Sequence, residues 1–208
     1  MGHGRSAFDI GLDARDPIDD GTSALTPSPP PGPVGFDAKR GGAQPPKVGM
    51  ADRIVGYARS HRASRVGSGE CFALVDRALR GAGAKHAGDF GRVTPDADYV
   101  WGTSVTLSQL QPGDVIQFRD YTYERVDVIK GDDATTTDEH AEDRAHHTAI
   151  VQSADGNGAV TVWEQNAPAG SAVTQTQLFF TDRTITAGNR TTKIKVRGTF
   201  WFYRPEAH

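Results

Sequence analysis

Gly67-Ser68-Gly69-Glu70-Cys71-Phe72-Ala73-Leu74-Val75 is the stretch on which the reading of this chain turns. It carries the only cysteine, placed where two glycines give way to a helical pattern. Leu74, Val75, Ala78 and Leu79 follow Cys71 at i+3, i+4, i+7 and i+8, the stripe of an amphipathic helix. Cys71 therefore falls in the first turn, where unpaired N–H groups and the helix dipole favour negative charge. That position lowers a thiol pKa and favours the thiolate, the nucleophilic form. Gly67 and Gly69 allow backbone angles closed to other residues and leave room for a substrate to approach. The same local pattern also fits a buried, inert cysteine on a core helix.

Outward from this helix, Gly81-Ala82-Gly83 closes it with glycine. Upstream, Met50, Ile54, Tyr57 and Ala58 recur at helical spacing and predict a first helix over 50–61. Residues 1–47 hold a cluster of prolines (Pro27, Pro29, Pro30, Pro31, Pro33, then Pro45 and Pro46) among glycines and aspartates. Such a segment buries too little apolar surface to offset the entropy of ordering it, so a disordered tail is expected there, with one domain over 48–208.

Downstream the pattern turns to strands. Asp96 to Gly102 reads as a loop anchored by Trp101, Leu110 to Asp114 as a turn, and Val115 to Phe118 as a strand. His147 to Val151 and Val160 to Asn166 are β-rich runs separated by the turn residues Asp155-Gly156-Asn157-Gly158, the signal of a hairpin. Two more strands are expected near 174–180 and 192–203. Helices first and strands afterwards predict an α+β domain, its N-terminal helices packed on an antiparallel sheet.

Residues 120–143 stand apart. Nine acidic side chains against Arg125 and Lys130 give this segment a local balance of −7 within a chain of formal charge −3. Tyr121-Thr122-Tyr123 begins it as a hairpin arm, and the acidic remainder is expected to be a solvated loop. Asp132, Asp133, Asp138 and His140 lack the spacing of a calcium loop.

Composition narrows the class. Near-balanced charge implies no basic nucleic-acid surface. A single cysteine excludes an internal disulfide and a multi-cysteine zinc site. No apolar run reaches the roughly 18 residues needed to span a membrane, and Met1-Gly2-His3-Gly4-Arg5 leads into no signal-peptide core. A monomer is expected.

A cysteine nucleophile needs a base, and the base needs a third group to orient it. Among seven histidines, His147 alone opens a strand, where an imidazole is held rigidly, with Ala149 and Val151 on its face. On the next strand Glu164 and Asn166 are two apart and share a face, with Gln165 on the other. If the hairpin pairs, either side chain can accept from the imidazole and turn its other nitrogen toward the sulfur.

Five blocks in this order resemble the CHAP family, cysteine, histidine-dependent amidohydrolases/peptidases related to the NlpC-type endopeptidases. They are Gly67 to Val75, Trp101-Gly102, Gln111 to Phe118, His147 to Val151 and Glu164-Gln165-Asn166, followed by a closing strand Phe200 to Pro205. The resemblance covers roughly residues 50–205 and implies a papain-like α+β fold. It makes Cys71 the nucleophile, His147 the general base, Glu164 the orienting group and Asn166 a further polar member of the site. The substrate it implies is bacterial peptidoglycan, cut at an amide of its stem peptides or cross-bridges. Gly69 and Trp101, with segment 120–143, are expected to line the cleft. Calcium-binding members carry acids on both sides of the cysteine, whereas here Glu70 and Asp76 are the nearest, so no metal or other cofactor is expected.

Two other readings stay open at this level: a binding module that keeps the fold without turnover, and an acyltransferase using the same residues. Acting on peptidoglycan implies a place at the cell envelope, with an export or immunity partner as the companion expectation.

Overall fold

The structure is a computed structural model that describes residues 48–208. The tail expected at 1–47 lies outside the described residues. Helix α1 (Met50–Ser60) buries Ile54, Val55 and Ala58, and α2 (Cys71–Gly81) buries Leu74, Val75, Ala78 and Leu79. Neither helix has a side-chain N-cap, so packing of these apolar stripes, more than capping, holds them. Arg53 ties the pair together by donating from Nε and Nη2 to the carbonyl of Ala82 at 3.2 and 2.8 Å, at the end of α2. A one-turn helix α3 (Ala87–Phe90) follows.

The remainder is β-structure: β1 (Thr103–Val105), β2 (Val115–Lys130), β3 (Thr135–Ala154), β4 (Ala159–Glu164), β5 (Thr174–Phe179), β6 (Arg183–Ala187) and β7 (Arg190–Arg204). Every pairing is antiparallel, in the order β1-β7-β2-β3-β4-β5, with β6 added to β7. Alternation along the central strands divides the apolar residues between two cores. Val115, Ile150 and Trp163 face α1 and α2, while Ile116, Phe118, Ala149, Val151 and Val162 face the other side. On that second side the sheet curls until Phe180, just past β5, stacks edge-on against Phe200 and Phe202 of β7, with centroids 5.0 and 5.3 Å apart.

The acidic segment departs from expectation. It is no loop, because β2 and β3 pair without interruption from Arg125↔His140 out to Lys130↔Thr135, closed by a turn at Gly131–Ala134. Val126, Val128, Ile129 and Thr135 to Thr137 supply β-branched residues, and β7 pairs the same length of β2 from the other side. The acids ride mostly outward on this arm. Asp127 is the exception, buried and held by Arg125, Arg190 and Thr192. At the base of the arm β2 carries a bulge between Arg119 and Thr122, where Asp120 has φ 51° and faces Gly198. Gly198 has φ 96°, and a Cβ there would stand 2.2 Å from the Asp120 carbonyl oxygen, so only glycine fits.

No described helix is long and apolar enough to cross a membrane.

Candidate active site

Pairing between β3 and β4 ends at Ile150↔Trp163. His147 and Glu164 lie just past this last rung, where the strands part, and the N-terminus of α2 meets them there. Gln165 fixes that meeting. Fully buried, it accepts from the Val66 N–H at 2.9 Å and donates to the carbonyls of Val66 and Glu70 at 3.0 and 2.6 Å. The segment that delivers Cys71 is thus stitched to the end of β4.

His147 is 5% exposed and donates from Nε2 to Glu164 Oε2 at 2.9 Å. Its tautomer is thereby set, and Nδ1 is the nitrogen left for the half-buried Cys71 thiol, with which the ring interacts. Glu164 is fully buried, and a second cation meets it: Arg144 donates from Nε to Oε2 at 3.0 Å and from Nη2 to Oε1 at 2.7 Å. Arg144 Nη2 also reaches Glu142 at 2.7 Å. A chain of charge therefore runs Cys71, His147, Glu164, Arg144, Glu142.

The electrostatics follow from these contacts. Burial pushes the Cys71 thiol up, but hydrogen bonding and charge attraction to His147, with help from the main-chain N–H groups of Thr148 and Phe72, bring it below the usual thiol value. Burial pulls His147 down, yet its bonds to Cys71 and Glu164 outweigh this and raise it to about 9. Glu164, which burial alone would raise, is lowered to about 2 by His147 and Arg144. The favoured state is a thiolate facing an imidazolium, backed by an ionised carboxylate.

The other residues named from the sequence take different parts. Asn166, at φ 64°, lines the same cavity as His147 but makes no hydrogen bond to it. It donates to Glu70 Oε2 at 2.8 Å and accepts from the Gly170 N–H at 2.6 Å, bracing the approach to α2. Trp101 does not line the cleft. It is fully buried, donates to Gln117 at 3.2 Å, and backs the aromatic pair Phe72–Tyr99 from inside the core. Gly69 (φ 89°) serves the turn before α2, its N–H bonded to the Val66 carbonyl at 3.1 Å. Its neighbours Ser68 and Glu70 line the cavity at Cys71 instead.

Arg144 is the residue that sequence reasoning missed. It lies three positions from His147, so strict alternation would put the two on opposite faces, yet both reach Glu164. They do so at the level of the bulge on β2. Two cavities flank the site. One of about 400 Å³ contains Cys71 and is walled by Phe72, Val93, Pro95 and Tyr99. The other, of about 720 Å³, lies along His147 between residues 141–147 of β3 and the loop 166–169. His146 borders both. Among the described residues, no group of three or more His, Cys, Asp or Glu side chains is arranged to hold a metal ion.

A cysteine at a helix N-terminus, beside a strand-borne histidine backed by a buried carboxylate, defines a cysteine-proteinase class of fold. Residues 47–182 match the family model of the AIM3/BBC1 Cysteine proteinase-fold domain, and the chain belongs to that family. No curated protein and no solved structure matches it significantly. The common ground with the CHAP resemblance is thus the cysteine-proteinase fold, and the narrower family is not the one matched.

Proposed function

We propose that this chain is a cysteine amidohydrolase or endopeptidase. One observation carries the reading: His147 joins the Cys71 thiol to a fully buried, doubly paired Glu164. The thiolate attacks an amide carbonyl, and the main-chain N–H of Cys71, first residue of α2, stabilises the oxyanion, a contribution of about 3 kcal/mol per donor. The carbon–nitrogen bond breaks as His147 passes its proton to the leaving amine, and the acyl group remains on sulfur as a thioester. Water, deprotonated by His147, then hydrolyses the thioester to a carboxylate and restores the thiolate. Glu164 holds the ring throughout and stabilises its positive charge whenever the ring carries the second proton. Arg144 keeps Glu164 ionised and fixed.

The substrate that the CHAP resemblance supplies is peptidoglycan, cut at an amide of a stem peptide or cross-bridge, which would place the action at the cell envelope. The family match names a fold and no reaction, so a binding module on the same fold is the competing reading. Purified sacculi and plain peptides incubated with wild type and Cys71→Ala decide between them. New amine termini with wild type alone support hydrolysis. Products that appear equally with Cys71→Ala, or in neither incubation, contradict it. Adding a free amine separates hydrolysis from acyl transfer, since transfer yields a new amide in place of the carboxylate.

A further inference from the structure

Three features of the cleft converge on the kind of chain it would accept. The first is a free strand edge. β4 pairs with β3 only from Ile150 to Ala154, so residues 135–149 of β3 are paired with β2 alone among the described residues. Up to His146, every second residue of that stretch turns its main-chain N–H and C=O away from β2 with no described strand to meet them, and the edge ends at His147, beyond which the Thr148 N–H is taken by Cys71. The second is charge. Where this edge forms one wall of the larger cavity, Glu142 and Asp143 line it. Its cations are Arg144, already committed to Glu164 and Glu142, and the His147 imidazolium, already committed to Glu164 and Cys71, while the Asp143 carboxylate has no ion pair or hydrogen bond among the described residues. The opposite wall, Ala167, Pro168 and Ala169, brings no charge. The third is the smaller cavity at Cys71, where Phe72, Pro95 and Tyr99 make an apolar wall and Val93 remains 43% exposed.

A carboxylate-rich edge strand could merely protect the sheet from pairing with another chain. That role accounts for the outer arm. It does not account for a groove of about 720 Å³ that begins at His147, nor for a separate cavity with an apolar wall that contains Cys71 itself.

We propose that the substrate is an extended peptide that adds as a strand to the free edge of β3. A cationic side chain then lies against Asp143 and Glu142, an apolar side chain fills the Phe72–Tyr99 cavity, and the amide between them lies over Cys71. Main-chain bonding to the edge supplies affinity, and the two cavities supply the sequence preference. The part of this that concerns cleavage rests on the hydrolase reading above; the docking does not.

Two measurements keep them apart. Fluorescent peptides of matched length, carrying lysine on one side and leucine or phenylalanine on the other, are titrated into Cys71→Ala, and the same set, internally quenched, is given to wild type. The expected result is binding of the lysine–apolar peptides about tenfold tighter than their glutamate counterparts, weakening with salt. Asp143→Lys is expected to invert the charge preference, and Val93→Glu to abolish the apolar one. Both positions are solvent-facing, and circular dichroism of each variant checks that it folds. Binding that is indifferent to peptide charge, or unchanged in Asp143→Lys, overturns the proposal even if wild type cleaves. Charge-selective binding without cleavage by wild type upholds the docking and removes the hydrolase reading alone.

Discussion

Arg144 and Glu164 form a bidentate pair, at 3.0 Å from Nε and 2.7 Å from Nη2, with the carboxylate fully buried and the guanidinium 7% exposed. Because His147 shares Oε2, the pair sets the charge that the imidazole sees. Burying two ions costs more than their attraction returns unless the geometry is good and the other lone pairs are used. Here both oxygens are occupied, and Glu142 takes part of the guanidinium.

Removing one partner should expose that cost. Arg144→Met leaves Glu164 buried with His147 as its sole counter-ion, and the expected loss is about 3–5 kcal/mol of stability. Denaturant titration of the two proteins measures it. A loss under about 1 kcal/mol would mean that the pair contributes little to holding the site.

The pH profile of activity should carry the mark of Glu164. His147 must be protonated to release the amine, so activity falls as pH rises through about 9, the value its bonds to Cys71 and Glu164 sustain against burial. Glu164→Gln removes the negative charge, which lowers His147 and moves the alkaline limb toward acid, while kcat drops by about a hundredfold or more. Rate measurements across pH on both proteins check this, and an unmoved limb would show that Glu164 does not set the imidazole's charge.

Stability at low pH depends on the same carboxylate. Glu164 is lowered from 4.5 to about 2, so its stabilisation is complete above about 4.5 and is lost as pH falls through about 2. Asp127 in the arm, held down by Arg190, Thr192 and Arg125, contributes with the same sign. Thermal melts between these limits should show a falling midpoint in wild type and a shallower fall in Glu164→Gln. Equal slopes would place the acid sensitivity elsewhere.

At the foot of the arm, Gly198→Ala should distort the bulge, since its Cβ would sit 2.2 Å from the Asp120 carbonyl oxygen at φ 96°. The expected cost exceeds about 1 kcal/mol. Comparison of melting temperatures with a Gly188→Ala control, where nothing lies within 4 Å but φ is 57°, separates the clash from backbone strain alone.

Much of the fold could be read in the chain because periodicity and burial agree there. The stripe after Cys71 is the buried face of α2, and Ala149 and Val151 share one core as alternation requires. Cys71, His147 and Glu164 stood out for the same reason, each being placed by a regular element. What escaped was placed by irregular backbone. Arg144 meets His147's partner beside a bulge, and no alternation rule puts them together. Asn166, at a left-handed φ that its neighbours did not announce, bonds Glu70 and Gly170 in place of His147. The arm was obscured by its acids, which strands usually disfavour, although the threonines and valines between them were enough to pair. Trp101 looked like a cleft residue because it sits in a loop, yet its partner Gln117 lies in the core.

Alkylation of Cys71 as a function of pH bears most directly on whether this site is built for chemistry. The sequence has one cysteine, so intact mass reports that residue alone. A thiolate held by His147 should react with iodoacetamide at neutral pH faster than an ordinary thiol does, and lose that advantage in His147→Ala. A rate that climbs only toward the ordinary thiol value of 9.0, and is the same in both proteins, would contradict an activated nucleophile.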